Sequence, residues 1–382
     1  MNAVTNHWRI KSIGEIVSIS KGRKIDRVYD HDIPNGKRYI QIDDLRNNHN
    51  LKYSEDPGVE VNSRDVIIAW DGANAGTIGF GLQGNIGSTL ARLRICDSEV
   101  DSFYLGWFLR NKSESIRKKC YGATIPHVSK SVLESIEIPL PPLPIQKQIS
   151  AILEKTDTTR EKRRKTNQLT EQFLQSTFLE MFGDPITNPK KWKIEKLGEV
   201  GTLQRGRSKH RPRNARFLLG GPYPLIQTGE IANSMGYITN YTQTYSELGL
   251  KQSKMWKKGT LCITIAANIG KTAILTFDAC FPDSIVGFKP NGRVKTEFIQ
   301  RWFTFVQKKL EDSAPMVAQK NISLEILRKL DVPVPPLDLQ QNFVTLVEKV
   351  ESLRAKQWES EKELENLFQS LMQRAFKGEL VG

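Results

Sequence analysis

The sequence predicts an α+β chain: two mixed α/β domains in a pseudo-twofold arrangement, separated by two long antiparallel coiled-coil helices. Three observations predict it. The chain repeats itself at an interval that grows from 184 to 194 residues, each copy closes in a proline-rich hinge, and each hinge leads into a long amphipathic stretch. An internal repeat fixes architecture before any local element does, and this one is far longer than a solenoid unit. Trp8, Ile10, Gly14, Glu15, Gly22 and Arg23 recur as Trp192, Ile194, Gly198, Glu199, Gly206 and Arg207. Ile40 and Gln41 recur as Ile226 and Gln227, and Asn74 and Gly76 as Asn268 and Gly270. Ser129, Leu133, Pro139, Pro141, Pro142 and Gln146 then recur as Ser323, Leu327, Pro333, Pro335, Pro336 and Gln340 without further slip.

The repeat divides the chain into a globular segment 1–143, a helical segment 144–184, a second globular segment 185–337 and a closing helical segment 338–382. Within the globular segments, β-branched runs bounded by Gly or Asp, such as Asp65–Trp70 and Thr260–Ile265, read as buried strands. Phe103–Lys118 and Phe298–Lys309 carry apolar residues three and four apart and read as one late helix per domain. In the closing segment Leu339, Phe343, Leu346, Val350, Leu353, Gln357, Ser360, Leu364, Leu367 and Leu371 step by four and three, a heptad seam. The matching positions of the first helix, from Ile145 and Ile149 through Arg163 and Thr166 to Phe173 and Thr177, are apolar at the ends and polar in the middle. Asp338 is placed to cap the second helix, and Gly183 followed by Pro185 to stop the first. Neither stripe is apolar enough to stand alone, so the two helices, each ~57 Å at 1.5 Å per residue, are expected to pair antiparallel, their polar middles setting register.

Composition narrows the function. The 382 residues carry a formal net charge of +14 and are 38% hydrophobic, a balance that favours a polyanionic partner, nucleic acid foremost. No apolar run approaches the ~18 residues that span a bilayer, and the first dozen residues lack a signal-peptide core, so a cytoplasmic protein is expected. Cys96, Cys120, Cys262 and Cys280 form no C-x-x-C pair and read as reduced core residues rather than a zinc site. The histidines His7, His31, His49, His127 and His210 form no close pair in sequence. No methyltransferase Asn-Pro-Pro-Tyr motif and no glycine-rich nucleotide loop is present, and Pro282–Asp283 reads as a turn, with no Glu-x-Lys following. The expectation is a binding protein without catalytic residue, metal or cofactor of its own.

At the two hinges, Ile138-Pro-Leu-Pro-Pro-Leu143 with Gln146 and Val332-Pro-Val-Pro-Pro-Leu337 with Gln340, the chain resembles the specificity subunit of Type I restriction-modification systems, and the likeness runs the whole length. The resemblance implies target-recognition domains at 1–143 and 185–337, helical regions at 144–184 and 338–382, and no catalysis by this chain. It implies double-stranded DNA as ligand, with each domain reading one half of a split, asymmetric site about one DNA turn (~34 Å) apart. It also implies two methyltransferase subunits as partners, which would bind S-adenosylmethionine and flip the adenine, and restriction subunits in the full complex. A second reading keeps the same rod as a non-enzymatic scaffold or RNA-binding protein. A fused restriction or methylation enzyme is disfavoured by two full repeats without a catalytic motif.

Candidate contacts follow from chemistry. Lys21, Arg23, Lys24 and Arg27 in the first copy, and Arg205, Arg207, Lys209, Arg211 and Arg213 in the second, form basic turns suited to phosphate or guanine. Gln41 and Gln227 either read adenine or cap a turn. The loops Asp71–Gly76 and Ala266–Gly270, with Asn74 and Asn268, read as glycine turns that either are structural or offer N–H groups to phosphate; Trp70 beside the first reads as core. His127, Lys130, Gln319 and Lys320 flank the hinges as weaker candidates, and the basic run Arg160–Lys165 faces either spacer DNA or solvent. Repeated helix positions that two identical partners could both grip are Gln146/Gln340, Phe173/Leu367, Phe178/Met372 and Phe182/Phe376.

Overall fold

The computed structural model describes residues 8–47, 50–122, 124–266, 268–313 and 321–381. The chain divides into two compact units, Met1–Arg164 with Glu359–Gly382, and Lys165–Trp358. Each therefore takes one end of both long helices, and the same construction is found inside each.

A strand opens each domain and pairs antiparallel with the strand just before the hinge: Arg9–Ser12 with Glu137–Leu140, and Lys193–Lys196 with Asp331–Val334. A single helical turn follows, Ile13–Ile16 or Leu197–Val200. Glu15 and Glu199 start these turns by accepting hydrogen bonds from the backbone N–H of Ser12 and Lys196, at 2.5 and 2.9 Å, the reach-back half of a capping box. That contact is why the Gly-Glu pair recurs.

The first unit then builds two four-stranded sheets. One runs Val17–Lys21, Leu90–Ile95, Val66–Ala69, Ile78–Phe80 in spatial order, with every neighbour antiparallel; the other runs Lys52–Ser54, Lys37–Ile40, Gly84–Ile86, Val59–Val61. The second unit repeats the first sheet as Gly201–Arg205, Ile285–Pro290, Leu261–Thr264, Thr272–Leu275, adding Tyr237–Ile238, and the second as Gln243–Tyr245, Leu219–Leu225, Ala279–Cys280, Met255–Trp256. Val66–Ala69 and Leu261–Thr264 are buried at every residue, as continuous β-branched runs require. The late helices are Ser102–Lys118, capped by Asp101 accepting from the Tyr104 N–H, and Thr296–Ser313.

The hinge residues have structural reasons to recur. Ser129 and Ser323 accept from the N–H of Val132 and Ile326, capping the short helices Lys130–Glu134 and Leu324–Arg328. Leu133 and Leu327 are buried in the two cores. Gln146 and Gln340, each 0% exposed, make the same three bonds. The amide nitrogen of Gln146 donates to the carbonyls of Glu99 and Pro141, both at 2.8 Å, and its oxygen accepts from the Asp101 N–H at 2.9 Å. Gln340 donates to Arg293 and Pro335 at 3.3 and 2.8 Å and accepts from Lys295 at 2.8 Å. Each glutamine staples the start of a long helix to the start of its domain's late helix.

The long helices are Leu143–Phe182 and Leu337–Lys377. Gly183, at φ +79, ends the first, its N–H donating to the Leu179 carbonyl at 2.8 Å. Asp338 lies in the first turn of the second helix rather than before it. The helices pair antiparallel in both units: Arg160 with Glu365 and Arg164 with Glu361 in the first, Thr170 with Gln357 and Glu171 with Arg354 in the second. The buried stripe differs from the expected seam. Phe343 and Val350 are buried as expected, but Leu353 and Leu367 are exposed while Val347, Arg354, Phe368 and Met372, one residue onward from seam positions, are buried. The first helix shows the same turn, with Leu174 buried and Phe173 exposed. Each domain packs against one flank of the pair, so burial follows two contacts where the seam predicts one. Cys262 and Cys280 are core residues as expected, whereas Cys96 is exposed and Cys120 half-buried. No described helix is long and apolar enough to cross a membrane.

Candidate nucleic-acid interface

In each unit the basic turn leaves the strand Val17–Lys21 or Gly201–Arg205 through a glycine pressed against backbone. A Cβ on Gly22 would stand 2.1 Å from the Gly87 carbonyl oxygen, and one on Gly206 2.3 Å from that of Pro282, so only glycine lets the chain turn there. The cations that follow are unequal. Lys21 pairs with Asp71 at 2.6 Å, Lys24 with Asp26 at 2.6 Å, and Arg27 forks onto Asp56 at 2.7 and 2.9 Å. Asp56 is held below the usual carboxylate range by the Arg27 backbone N–H and then by its guanidinium. Arg23 is exposed, and none of the described residues pairs with it.

In the second unit Arg205, Arg207 and Lys209 are exposed with no side-chain partner among the described residues. Arg211 donates to the carbonyls of Ser208 and His210 at 2.6 and 2.9 Å, and both Arg211 and Arg213 pair with Asp283. Asp283 does sit in a turn, closed by the Ile285 N–H on the Pro282 carbonyl, and it also serves as counter-ion to the basic loop. Beside it the exposed ring of Phe217 meets His210 edge-on at 5.0 Å. Composition located the cations; apart from Lys24 with nearby Asp26, which of them are already neutralised depends on acids distant in sequence.

Gln41 and Gln227 occupy the same backbone state, φ −112 ψ 175 and φ −113 ψ 176, at the start of a helical turn. Their N–H groups donate to Asp44 at 2.7 Å and Glu230 at 3.1 Å, and the Gln227 amide donates to Gln243 at 2.6 Å. The geometry is that of a cap. In the glycine loops the N–H of Gly76 donates to Ala69, that of Gly270 to Thr264, and the carbonyls of Asn74 and Asn268 accept from Thr77 and Lys271. These N–H groups are spent internally, which favours the structural turn over the phosphate cradle. The Asn74 side chain accepts from Arg46 at 2.6 Å, while that of Asn268 is exposed. Trp70 packs against the core. Gln319 and Lys320 lie outside the described residues.

The structure brings together residues nominated separately. Asp71 bridges Lys21 and His127, its second oxygen 2.6 Å from the imidazole Nδ1, and the exposed Tyr121 ring lies 5.6 Å from His127. Partial burial pushes the Asp71 pKa up, but hydrogen bonds from Lys21 and His127 outweigh it and hold the group below the usual range.

Most of the helix positions nominated for partners are interior. Gln146 and Gln340 are the staples above. Phe178 and Phe182 pack with Phe298 and Phe343 in the second core. Met372 is buried in the first core, and Phe376 packs on Tyr104 and Phe108. Phe376 is half-buried and the others fully so, and the repeat preserves all of them because both cores use them. Phe173 and Leu367 are the exception, each 49% exposed. Part of the basic run is engaged within the helix pair, while Lys162, Arg164 and Lys165 remain exposed: Arg160 bonds Asp157 on its own helix and Glu365 across, and Arg164 reaches Glu361 and Glu365. Its counterpart Arg354 bonds Glu351 on its own helix and Glu171 across, and the buried Arg301 also reaches Glu171. Among the described residues no group of His, Cys, Asp or Glu could hold a metal.

Sequence comparison adds an independent finding. The model of a family described as Type I restriction modification DNA specificity domain matches residues 5–171 and again 189–366. The chain is similar to the Type I restriction enzyme MjaVIII specificity subunit of Methanocaldococcus jannaschii, 24% identical over 413 residues, covering 99% of this chain and 94% of the relative. It is also similar to the EcoBI specificity subunit of Escherichia coli, 22% identical over 416 residues, covering 99% and 87%. In fold it resembles the Type I restriction-modification S subunit from M. genitalium, with a TM-score of 0.66, 16% identity and 98% of each chain covered. A second solved chain, from a type I R-M system studied for complex assembly and conformational transition, gives 0.55 with 20% identity and 100% of both chains covered.

Proposed function

Since the chain belongs to the Type I restriction-modification DNA specificity family, whose curated relatives are specificity subunits, we propose that it recognises a bipartite, asymmetric double-stranded site, one domain per half. It does so without catalytic residues of its own, in the cytoplasm, as the subunit that carries two methyltransferase subunits and, in the full complex, restriction subunits. The observation that carries this reading is the pair of equivalent turns bearing cations without counter-ions among the described residues, Arg23 in one unit and Arg205, Arg207 and Lys209 in the other. Such cations cost little when solvated and gain affinity when they displace counter-ions from phosphate. Around them the two copies carry different side chains, as two different half-sites require. Docking of methyltransferase is assigned to Phe173 and Leu367, the matched helix residues that combine an apolar side chain with exposure.

Mapping modified adenines in the host genome with and without this gene tests the proposal. Loss of methylation at one split motif supports it and supplies both half-sites and the spacer. An unchanged map, with the methyltransferase subunits present and active, overturns it.

A further inference from the structure

The two units share their chemistry at Ser129/Ser323, Leu133/Leu327 and Gln146/Gln340 but not at the edge of the basic turn. Backbone pairing defines the equivalence. In the first unit the N–H of Val128 donates to Trp70, Asp71 bridges His127, and the N–H of Gly22 donates to Leu90. In the second the N–H of Ile322 donates to Ile265, Ala266 bridges Asn321, and the N–H of Gly206 donates to Ile285. Lys21, Asp71 and His127 are thus replaced by Arg205, Ala266 and Asn321. The first unit holds a carboxylate between a lysine and an imidazole; the second holds an amide and an arginine with no counter-ion among the described residues.

The trio has a definite polarity. With the Asp71 carboxylate ionised and 2.6 Å from Nδ1, that nitrogen carries the proton, which leaves Nε2 as an acceptor when the ring is neutral and a donor when it is charged. The imidazole is about one-third exposed, against 16% for Asp71, so the ring, not the acid, is offered outward. Charged or titratable groups facing it are Asp71 from the glycine loop, Lys21 from the strand end and Tyr121 from the segment after the late helix. Lys130 is engaged with Glu134, and Arg117 with Ala75 and Thr77.

We infer that His127, oriented by Asp71, is a DNA-contacting residue of the first unit that takes up a proton as duplex binds, so that this unit tightens its grip as pH falls. The inference rests on the DNA-recognition reading above. A neutral Nε2 presents a lone pair to phosphate and repels it, whereas the imidazolium donates a charge-assisted bond. The same proton offsets Asp71, whose charge otherwise balances that of Lys21.

The test uses the full chain and a fluorescein-labelled duplex of about 30 bp of random sequence, read by anisotropy at fixed ionic strength between pH 6 and 8. Raising an imidazole pKa by one unit on binding corresponds to about tenfold tighter binding once the ring is charged. About tenfold tightening toward pH 6 is expected in the wild type, and a clearly shallower profile in His127→Gln, which retains only the imidazoles elsewhere, such as His210 of the second unit's basic loop. Asp71→Asn, which frees Lys21 and withdraws the orienting charge, should bind more tightly at pH 8 and depend less on pH. Installing the pair in the second unit, Ala266→Asp with Asn321→His, should steepen the profile. A His127→Gln profile that matches the wild type overturns the inference while leaving DNA recognition intact. A wild type that binds no duplex at any pH overturns both.

Discussion

Replacing Gln340 tests whether the repeated hinge is a staple or a docking surface. Its amide is fully buried and makes three bonds, donating to Pro335 at 2.8 Å and to Arg293 at 3.3 Å and accepting from Lys295 at 2.8 Å. Gln340→Ala leaves two carbonyls and one N–H without partners. At about 1–3 kcal/mol for each orphaned buried group, partly relieved because the Arg293 contact is long, the cost is about 3–5 kcal/mol. Gln340→Glu is the sharper variant. Its carboxylate keeps the bond from Lys295 but faces two carbonyl oxygens, so burial and repulsion raise its folded pKa above the ordinary ~4.3. The sign follows: the variant's stability relative to wild type is greatest below the unfolded value and is lost as pH rises through the folded one. Because a two-unit chain need not unfold in one step, native-state hydrogen exchange at the amides of Asp331, Val332 and Val334 is the proper assay. At 1.4 kcal/mol per tenfold, Gln340→Ala should speed exchange there about a hundredfold or more at neutral pH, while amides of the first unit hold. Exchange within threefold of wild type, or a Gln340→Glu penalty independent of pH, would refute the staple.

Phe182→Ala empties a site walled by Phe178, Phe298 and Phe343 and should cost about 3–5 kcal/mol, seen as a lowered melting temperature before any partner is added. Phe173→Asp with Leu367→Asp should leave that temperature nearly unchanged, both residues being exposed, yet reduce co-purification of methyltransferase; full recovery of the complex would remove them from the interface. Arg207→Ala should weaken binding to all duplexes and reduce the salt slope by about 0.9, whereas Arg213→Ala, already paired with Asp283, should change it less; equal effects would contradict the pairing. Glu171 lies between Arg301 and Arg354, which overcome the upward push of burial and lower its pKa. Its contribution is present above the unfolded value and lost as pH falls through the folded one, so Glu171→Gln should destabilise the second unit at pH 7 and make its acid unfolding shallower.

Local pattern carried the fold a long way. The strand at Val66–Ala69 and the helices Ser102–Lys118, Leu143–Phe182 and Leu337–Lys377 lie within a few residues of the segments read from β-branched runs and heptad spacing, because each is decided by period and by its own caps. The seam face was only half legible. A heptad pattern sees one partner, and each long helix has two: the other helix and a domain on its flank. Arg160 and Arg354 show the limit. Each looks like a charge on a solvated face, and each is an ion-pair centre, with an acid three residues back on its own helix and a glutamate from the opposite helix. The across-helix partners are 205 and 183 residues away, beyond any local reading.

The repeat itself explains why the site was harder to read than the fold. A residue kept in both copies answers a demand common to both, and in this chain those demands are mechanical: Gly22 and Gly206 for close backbone approach, Ser129 and Ser323 for capping, Gln146 and Gln340 for stapling, Phe178 and Met372 for packing. Two domains that read different half-sites must differ where they touch bases. Repetition is therefore evidence of scaffold, and recognition is to be sought at structurally equivalent positions with unlike chemistry. Asp71 against Ala266 and His127 against Asn321 are such positions, aligned by the bridges of their backbones rather than by their side chains. The same logic retains Phe173 and Leu367, similar yet exposed, for a partner that meets both copies alike.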